Sequence, residues 1–139
     1  MRSSFITINK QRFGSFAKEY AESLAKNAGH TTCITDKEQI VAASGTAKKE
    51  FLEKHISQQL EDIIAKRNTV IAKRQEKGFV PILEVDNENI YSHELITPII
   101  SEGDVLGAII MISDTEPLGE LEGKLVATAA GILGKQMEQ

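Results

Sequence analysis

Apolar positions along the chain recur first at helical spacing, then at strand spacing, and at helical spacing again toward the end. From Phe13 to Ala28 the residues Phe13, Phe16, Ala17, Tyr20, Ala21, Leu24 and Ala28 fall three and four apart, and Gly29 supplies the stop. One flank of this helix carries the large Phe16, Tyr20 and Leu24. The other carries Ala17, Ala21 and Ala25, small enough to admit a second helix closely. The runs HTTCIT (His30 to Thr35) and QIVAAS (Gln39 to Ser44) are β-prone and, joined by Asp36-Lys37-Glu38, read as a hairpin. Lys48 to about Arg67 reads as helix with Phe51, Leu52, Ile56, Leu60, Ile63 and Ile64 on one face, a break near His55 being left open. Val70 and Ile71 fit either the end of that helix or the start of an edge strand.

A second β region is expected to begin with FVPIL, Phe79 to Leu83, where Pro81 argues for an edge or an irregular start. A polar turn at Asp86-Asn87-Glu88-Asn89 precedes IYSHELITPII, Ile90 to Ile100, in which Tyr91, His93, Leu95 and Thr97 share one face. Ser101-Glu102-Gly103-Asp104 has the composition of a tight hairpin turn. The following VLGAIIMIS, Val105 to Ser113, is so apolar that both its faces must be covered, which places it at the sheet centre. Gly107 within it marks a bulge or leaves room for a ligand or a neighbouring side chain. The last helix follows Pro117 and carries Leu121, Leu125, Val126, Ala129, Ala130, Ile132, Leu133 and Met137. At about 100° per residue these span an arc of roughly 200°, wider than packing on one sheet needs. The surplus asks for a second partner, and a homodimer that pairs the two terminal helices with their symmetry mates would bury it in a four-helix bundle.

Composition narrows the function classes. The 139 residues suit one domain with a single sizeable core, and 41% hydrophobic with 26% charged residues is the balance of a globular protein. No secretory h-region or membrane-length apolar run is present, and Cys33 is the sole cysteine, so an intrachain disulfide is impossible and a cytoplasmic setting is expected. The net charge of −4 has the wrong sign for gripping a phosphate backbone, although Lys66, Arg67, Lys73, Arg74 and Lys77 form a local basic run. No phosphate-cradling loop, nucleophile elbow or metal-ligand spacing occurs, and His30, His55 and His93 fall on separate elements. Catalytic residues, metal ligands and cofactors are therefore not expected.

The strongest local candidate is the junction IVAASGTAKKEFL, Ile40 to Leu52. A strand runs into Ser44-Gly45-Thr46 and then into a helix opening with Lys48 and Lys49, bringing hydroxyls, free amides and ammonium groups to one spot. Such a spot suits a small polar or anionic ligand. It equally suits an ordinary helix start, with Ser44 or Thr46 accepting from an orphan amide and the lysines solvated.

The segments GHTTCITD (Gly29 to Asp36), IVAASGTAKKEFL, PIISEGDVLGAIIM (Pro98 to Met111), AAGILGKQMEQ (Ala129 to Gln139) and FAKEYAESL (Phe16 to Leu24) resemble the C-terminal sensory half of the stage V sporulation protein T family, in unbroken order from about Phe13 to Gln139. The resemblance implies an α+β, GAF-like antiparallel sheet of about five to six strands, with the N- and C-terminal helices packed at a dimer interface. It divides the chain into a leader or vector remnant at 1–12 and a sensory domain at 13–139, without the DNA-binding domain, related to the AbrB regulators, that family members carry at their N-terminus. It further implies a regulatory, ligand-sensing and dimerising role with Ser44, Gly45, Thr46, Lys48 and Lys49 facing an unidentified small molecule. The dimer interface would comprise Phe16, Tyr20, Leu125, Ala129, Ile132 and Leu133, with pairing into a tetramer left open. A purely structural oligomerisation domain holding DNA-binding heads together is the alternative. A methionine-sulfoxide-reducing enzyme of the GAF kind would need several reactive cysteines, which Cys33 alone does not supply.

Overall fold

The computed structural model describes residues 2–85 and 91–138, with side chains from residue 10 onward. The elements run α1 (Arg2–Ala28), β1 (Thr32–Thr35), β2 (Ile40–Ser44), α2 (Lys48–Phe51), α3 (Gln58–Ala65), β3 (Val70–Lys73), β4 (His93–Ser101), β5 (Asp104–Ser113) and α4 (Glu120–Gln136). The five strands form one antiparallel sheet in the order β2-β1-β5-β4-β3. As its apolar run requires, β5 lies at the centre, and from Gly107 to Ser113 every residue is buried. The β4–β5 turn is set by Glu102 at φ 50° and Gly103 at φ 85°. Two left-handed central residues give the primed turn whose twist matches that of the flanking strands.

Gly107 answers to backbone, not to a ligand. Ile99 pairs with Gly107 and Ile100 with Val105, so Leu106 is bulged out, and a Cβ on Gly107 would lie 1.8 Å from the Thr35 carbonyl oxygen. The β1–β2 connection is fixed by Asp36, whose Oδ1 accepts from the amides of Glu38 (2.8 Å) and Gln39 (2.9 Å).

Two layers cover the sheet. On one face α1 lies over β1 and β2 and α4 over β4, burying Ala17, Leu24, Leu95, Ile109, Val126 and Leu133. Gly134 lets α4 approach β4 so closely that a Cβ there would sit 2.1 Å from the Ile100 carbonyl oxygen. On the other face α2, α3 and the irregular segment after β3 bury Phe51, Leu60, Ile82, Tyr91, Ile96 and Ile110. No helix among the described residues is long and apolar enough to cross a membrane.

Several expectations need correction. Helix α1 begins at Arg2, so residues 2–12 continue the helix expected from Phe13. The break near His55, left open for the helix from Lys48, is present: Glu53 adopts φ 68°, and α3 restarts with Ser57 as N-cap, its Oγ accepting from the Leu60 amide. Of the two options left open for Val70 and Ile71, the edge strand is the one found. Phe79–Leu83 is not a strand; it contributes a single bridge, Ile56 to Leu83. Tyr91 precedes β4 and enters the α3 side, away from Leu95, because the period-two alternation starts only at His93. The turn expected at 86–89 lies outside the described residues.

Candidate functional site

The Ser44-Gly45-Thr46 junction forms where β2 leaves the sheet edge and turns close against Thr31. Gly45 adopts φ 117° and a Cβ there would come within 2.6 Å of Thr31 Cα, so the glycine is required by a positive φ and by close approach together. The cap at α2 is not provided by Ser44 or Thr46. The N-cap position is Ala47, whose amide donates to Thr31 Oγ1 at 3.1 Å. Ser44 is half-buried, while Gly45, Thr46, Lys48 and Lys49 are exposed.

Of the five candidate ligand residues, Thr46 lines a cleft. Its volume is about 210 Å³, and its walls include His30, Thr31, Ala47, Ser113, Asp114 and Glu116. Lys48 and Lys49 are exposed and are not among its lining residues, so the expected convergence of hydroxyls and ammonium groups is partial. What the cleft offers is hydroxyls, an imidazole and two carboxylates, a lining suited to a polar molecule rather than to a strongly anionic one. Among the described residues no group of three His, Cys, Asp or Glu is placed to hold a metal ion. Cys33 is fully buried, and burial pushes its thiol well above the usual range, away from the reactive thiolate.

The second candidate region is the outward surface of the two long helices. Arg12 Nη2 donates to the Gln136 carbonyl (2.7 Å) and Tyr20 Oη to Gln136 Oε1 (2.6 Å), locking α1 beside the end of α4. Burial and, secondarily, the charge of Glu19 raise the Tyr20 hydroxyl above its ordinary value, keeping it a neutral donor. Leu121, Leu125 and Ile132 remain 76%, 39% and 50% exposed. At helical spacing they form one stripe, opposite the buried Val126, Ala130 and Leu133. Phe16, Tyr20 and Ala129 are half-buried beside it. Leu133 must be removed from the expected interface, because it is fully buried in this subunit's own core. Leu121 stands at the start of the same exposed stripe.

Sequence reasoning missed a third cluster, which closes the α2–α3 face. Tyr91 lies 5.9 Å from the Phe51 ring and 5.8 Å from the Phe79 ring. The Arg74 guanidinium stands over both Phe79 (4.6 Å) and Tyr91 (4.7 Å), and the fully buried Glu94 accepts from the Val80 amide at 2.8 Å. In the sequence these residues are scattered from Phe51 to Glu94 without a period, so no spacing rule collects them. The signal available was Glu94 itself, a carboxylate on the inward-alternating side of a β-strand.

Comparison with known proteins places this geometry. Residues 12–138 match the family model described as stage V sporulation protein T C-terminal, transcription factor. The chain belongs to that family. It is 39% identical to stage V sporulation protein T of Bacillus subtilis (strain 168) over 126 residues, covering 91% of this chain and 69% of the relative. Among solved structures, the second GAF domain of DevS from Mycobacterium smegmatis superposes with a TM-score of 0.71 at 12% identity, covering 90% of this chain and 92% of that one. The cofactor-binding GAF domain of the nutrient sensor CodY from Clostridium difficile gives 0.69 at 10%, covering 99% and 98%. Type II free methionine-R-sulfoxide reductase from Thermoplasma acidophilum gives 0.64 at 12%, covering 88% and 92%. At such identities these neighbours establish the fold alone, which is GAF-like α+β. The chain is thus the C-terminal domain of a sporulation transcription regulator, built on a GAF fold.

Proposed function

We propose that this domain pairs with a second copy of itself through the outward face of α1 and α4, and so couples two halves of a sporulation transcription regulator. The observation that carries this reading is the unpartnered stripe Leu121, Leu125 and Ile132, flanked by the half-buried Phe16, Tyr20 and Ala129. A two-fold axis laid along this face lets each stripe cover its own copy and completes a four-helix bundle. Further pairing of dimers would give a tetramer. The domain works without catalysis and, at a net charge of −4, leaves nucleic-acid contact to other parts of the regulator, in the cytoplasm.

Sedimentation at micromolar concentration tests this. The chain is expected as a dimer, and Leu125→Asp with Ile132→Asp as a folded monomer with an unchanged circular dichroism spectrum. A wild-type chain that sediments as a compact single subunit overturns the reading.

A second reading, control by a small molecule, is favoured by the polar cleft at Thr46. It is also favoured by the fold shared with a nutrient sensor whose GAF domain binds a cofactor. In it, Ser44, Gly45, Thr46, Lys48 and Lys49 form the rim, and occupancy shifts how the terminal helices pack. Saturable elevation of the melting temperature by a polar metabolite, lost in Thr46→Val, supports it. Failure of broad metabolite screens leaves the domain a purely structural coupler.

A further inference from the structure

We infer that Phe79–Glu84 is a strap that closes the α2–α3 face of the sheet and detaches as one unit, with Arg74 as its clamp. The segment lies outside the five-stranded sheet, yet Ile82 is fully buried and Leu83 is 5% exposed, whereas Val85, just beyond, is 82% exposed. Two large aliphatic side chains thus enter the α2–α3 face from a stretch with no regular structure. They occupy the space beside Phe51, Leu60, Tyr91 and Ile96.

What holds the strap is a set of separate anchors. Val80 donates to Glu94 Oε1 on β4 (2.8 Å) and Ile82 donates to Tyr91 Oη (3.1 Å). The Ser57 amide donates to the Ile82 carbonyl (2.9 Å), the Ser57 hydroxyl to the Pro81 carbonyl, and the Glu84 amide to the His55 carbonyl (3.0 Å). Arg74 ties the two ends of this arrangement together. Its guanidinium lies against Phe79, the first residue of the strap, and against Tyr91, which accepts from the strap, while Nη2 donates to the Tyr91 carbonyl at 2.9 Å. Detaching the strap breaks these anchors and uncovers the aromatic floor, but breaks no bond of the β1–β5–β4 ladder. Segments anchored this way open locally, below the free energy of global unfolding. The strap therefore acts as a removable cover, and anything that docks on the aromatic floor of this face must first displace it.

Amide hydrogen exchange on the whole chain tests this, independently of the dimer reading, which can stand or fall without it. In the wild type the Val80, Ile82 and Glu84 amides are expected to share one opening, faster than that of Ile109 to Met111 in β5 and nearly insensitive to low denaturant. Tyr91→Phe, which keeps the ring and removes one acceptor, is expected to accelerate all three by about tenfold together, the factor for one lost hydrogen bond. Arg74→Met should do the same more strongly, and Arg74→Lys, which keeps a cation over the rings, less. Strap amides that exchange at the β5 rate with the β5 denaturant dependence overturn the inference, as does acceleration of Ile82 alone in Tyr91→Phe. Unchanged strap exchange in both Arg74 variants overturns the clamp.

Discussion

The two faces of this sheet are covered by different means. The α1–α4 face is closed by two long regular helices whose small residues, Ala17, Ala21, Ala130 and Gly134, allow close approach. Those helices have more apolar surface than the sheet can use, and the excess turns outward as Leu121, Leu125 and Ile132. The α2–α3 face is closed by two short helices of four and eight residues and by the strap, with aromatic rings and anchored polar groups filling what the helices leave. One face has surplus to offer a partner; the other is filled from within. An interface and a switchable core need these opposite designs, since the first requires rigid exposed surface and the second requires a part that opens at low cost.

The largest expected effect falls on the filled face. Phe51 is 1% exposed and packs at a tilt against Tyr91, so Phe51→Ala removes part of the floor on which the strap rests. Destabilisation of about 3–5 kcal/mol is expected from chemical denaturation, as for other buried phenylalanines. A cost below about 1 kcal/mol would mean that the face collapses easily, and the contrast with the helical face would be lost.

The helical face is probed by two glycines of α4 less than a turn apart. Gly134→Ala drives a Cβ to 2.1 Å from the Ile100 carbonyl oxygen, a backbone atom that cannot swing aside. Displacement of α4 from β4 should cost about 2–3 kcal/mol, outweighing the gain in helix propensity. Gly131→Ala meets nothing within 4 Å and should instead stabilise by about 0.5–1 kcal/mol. Equal effects at the two positions would show that α4 does not lie on β4 as closely as Gly134 permits. Because Gly131 is exposed, the same variant leaves the Leu125 and Ile132 stripe available for self-association.

How much of this could be read from the sequence also divides by face. The terminal helices and the central β5 follow from periodicity, since each buries a continuous pattern that only one conformation can bury. The surplus on α4 was legible for the same reason, although Leu133 was misassigned because an arc of roughly 200° does not say where sheet ends and partner begins. On the other face FVPIL has strand composition, yet its Val80 and Ile82 amides are taken by the Glu94 and Tyr91 side chains and not by a neighbouring strand. Such pairing is tertiary and leaves no local trace. At the candidate ligand site, Gly45 is explained by Thr31, a residue fourteen positions away whose hydroxyl also accepts from the Ala47 amide just before α2; a sequence reading that looks for a cap next to its helix places one at Ser44 or Thr46, and neither supplies it.

The smallest effect concerns how α4 starts, and so how firmly its outward stripe is set. Glu122 Oε1 accepts from the Gly119 amide at 2.7 Å, half of a capping box, since a glycine N-cap has no side chain to return the bond. That bond, with the charge of His30 as a lesser contribution, holds the carboxyl below its ordinary value. A carboxyl depressed on folding contributes stability that is present above its unfolded pKa and is lost as pH falls through its folded one. At neutral pH Glu122→Ala should therefore cost about 0.5–1 kcal/mol, and the gap to wild type should narrow on acidification below the ordinary carboxylate range. Glu122→Gln keeps an acceptor without the charge and should lie between the two, with a loss that salt diminishes. If self-association weakens in step with this loss, the helix start sets the interface; if stability falls while the dimer constant holds, the stripe is positioned by Gly134 and the sheet beneath it.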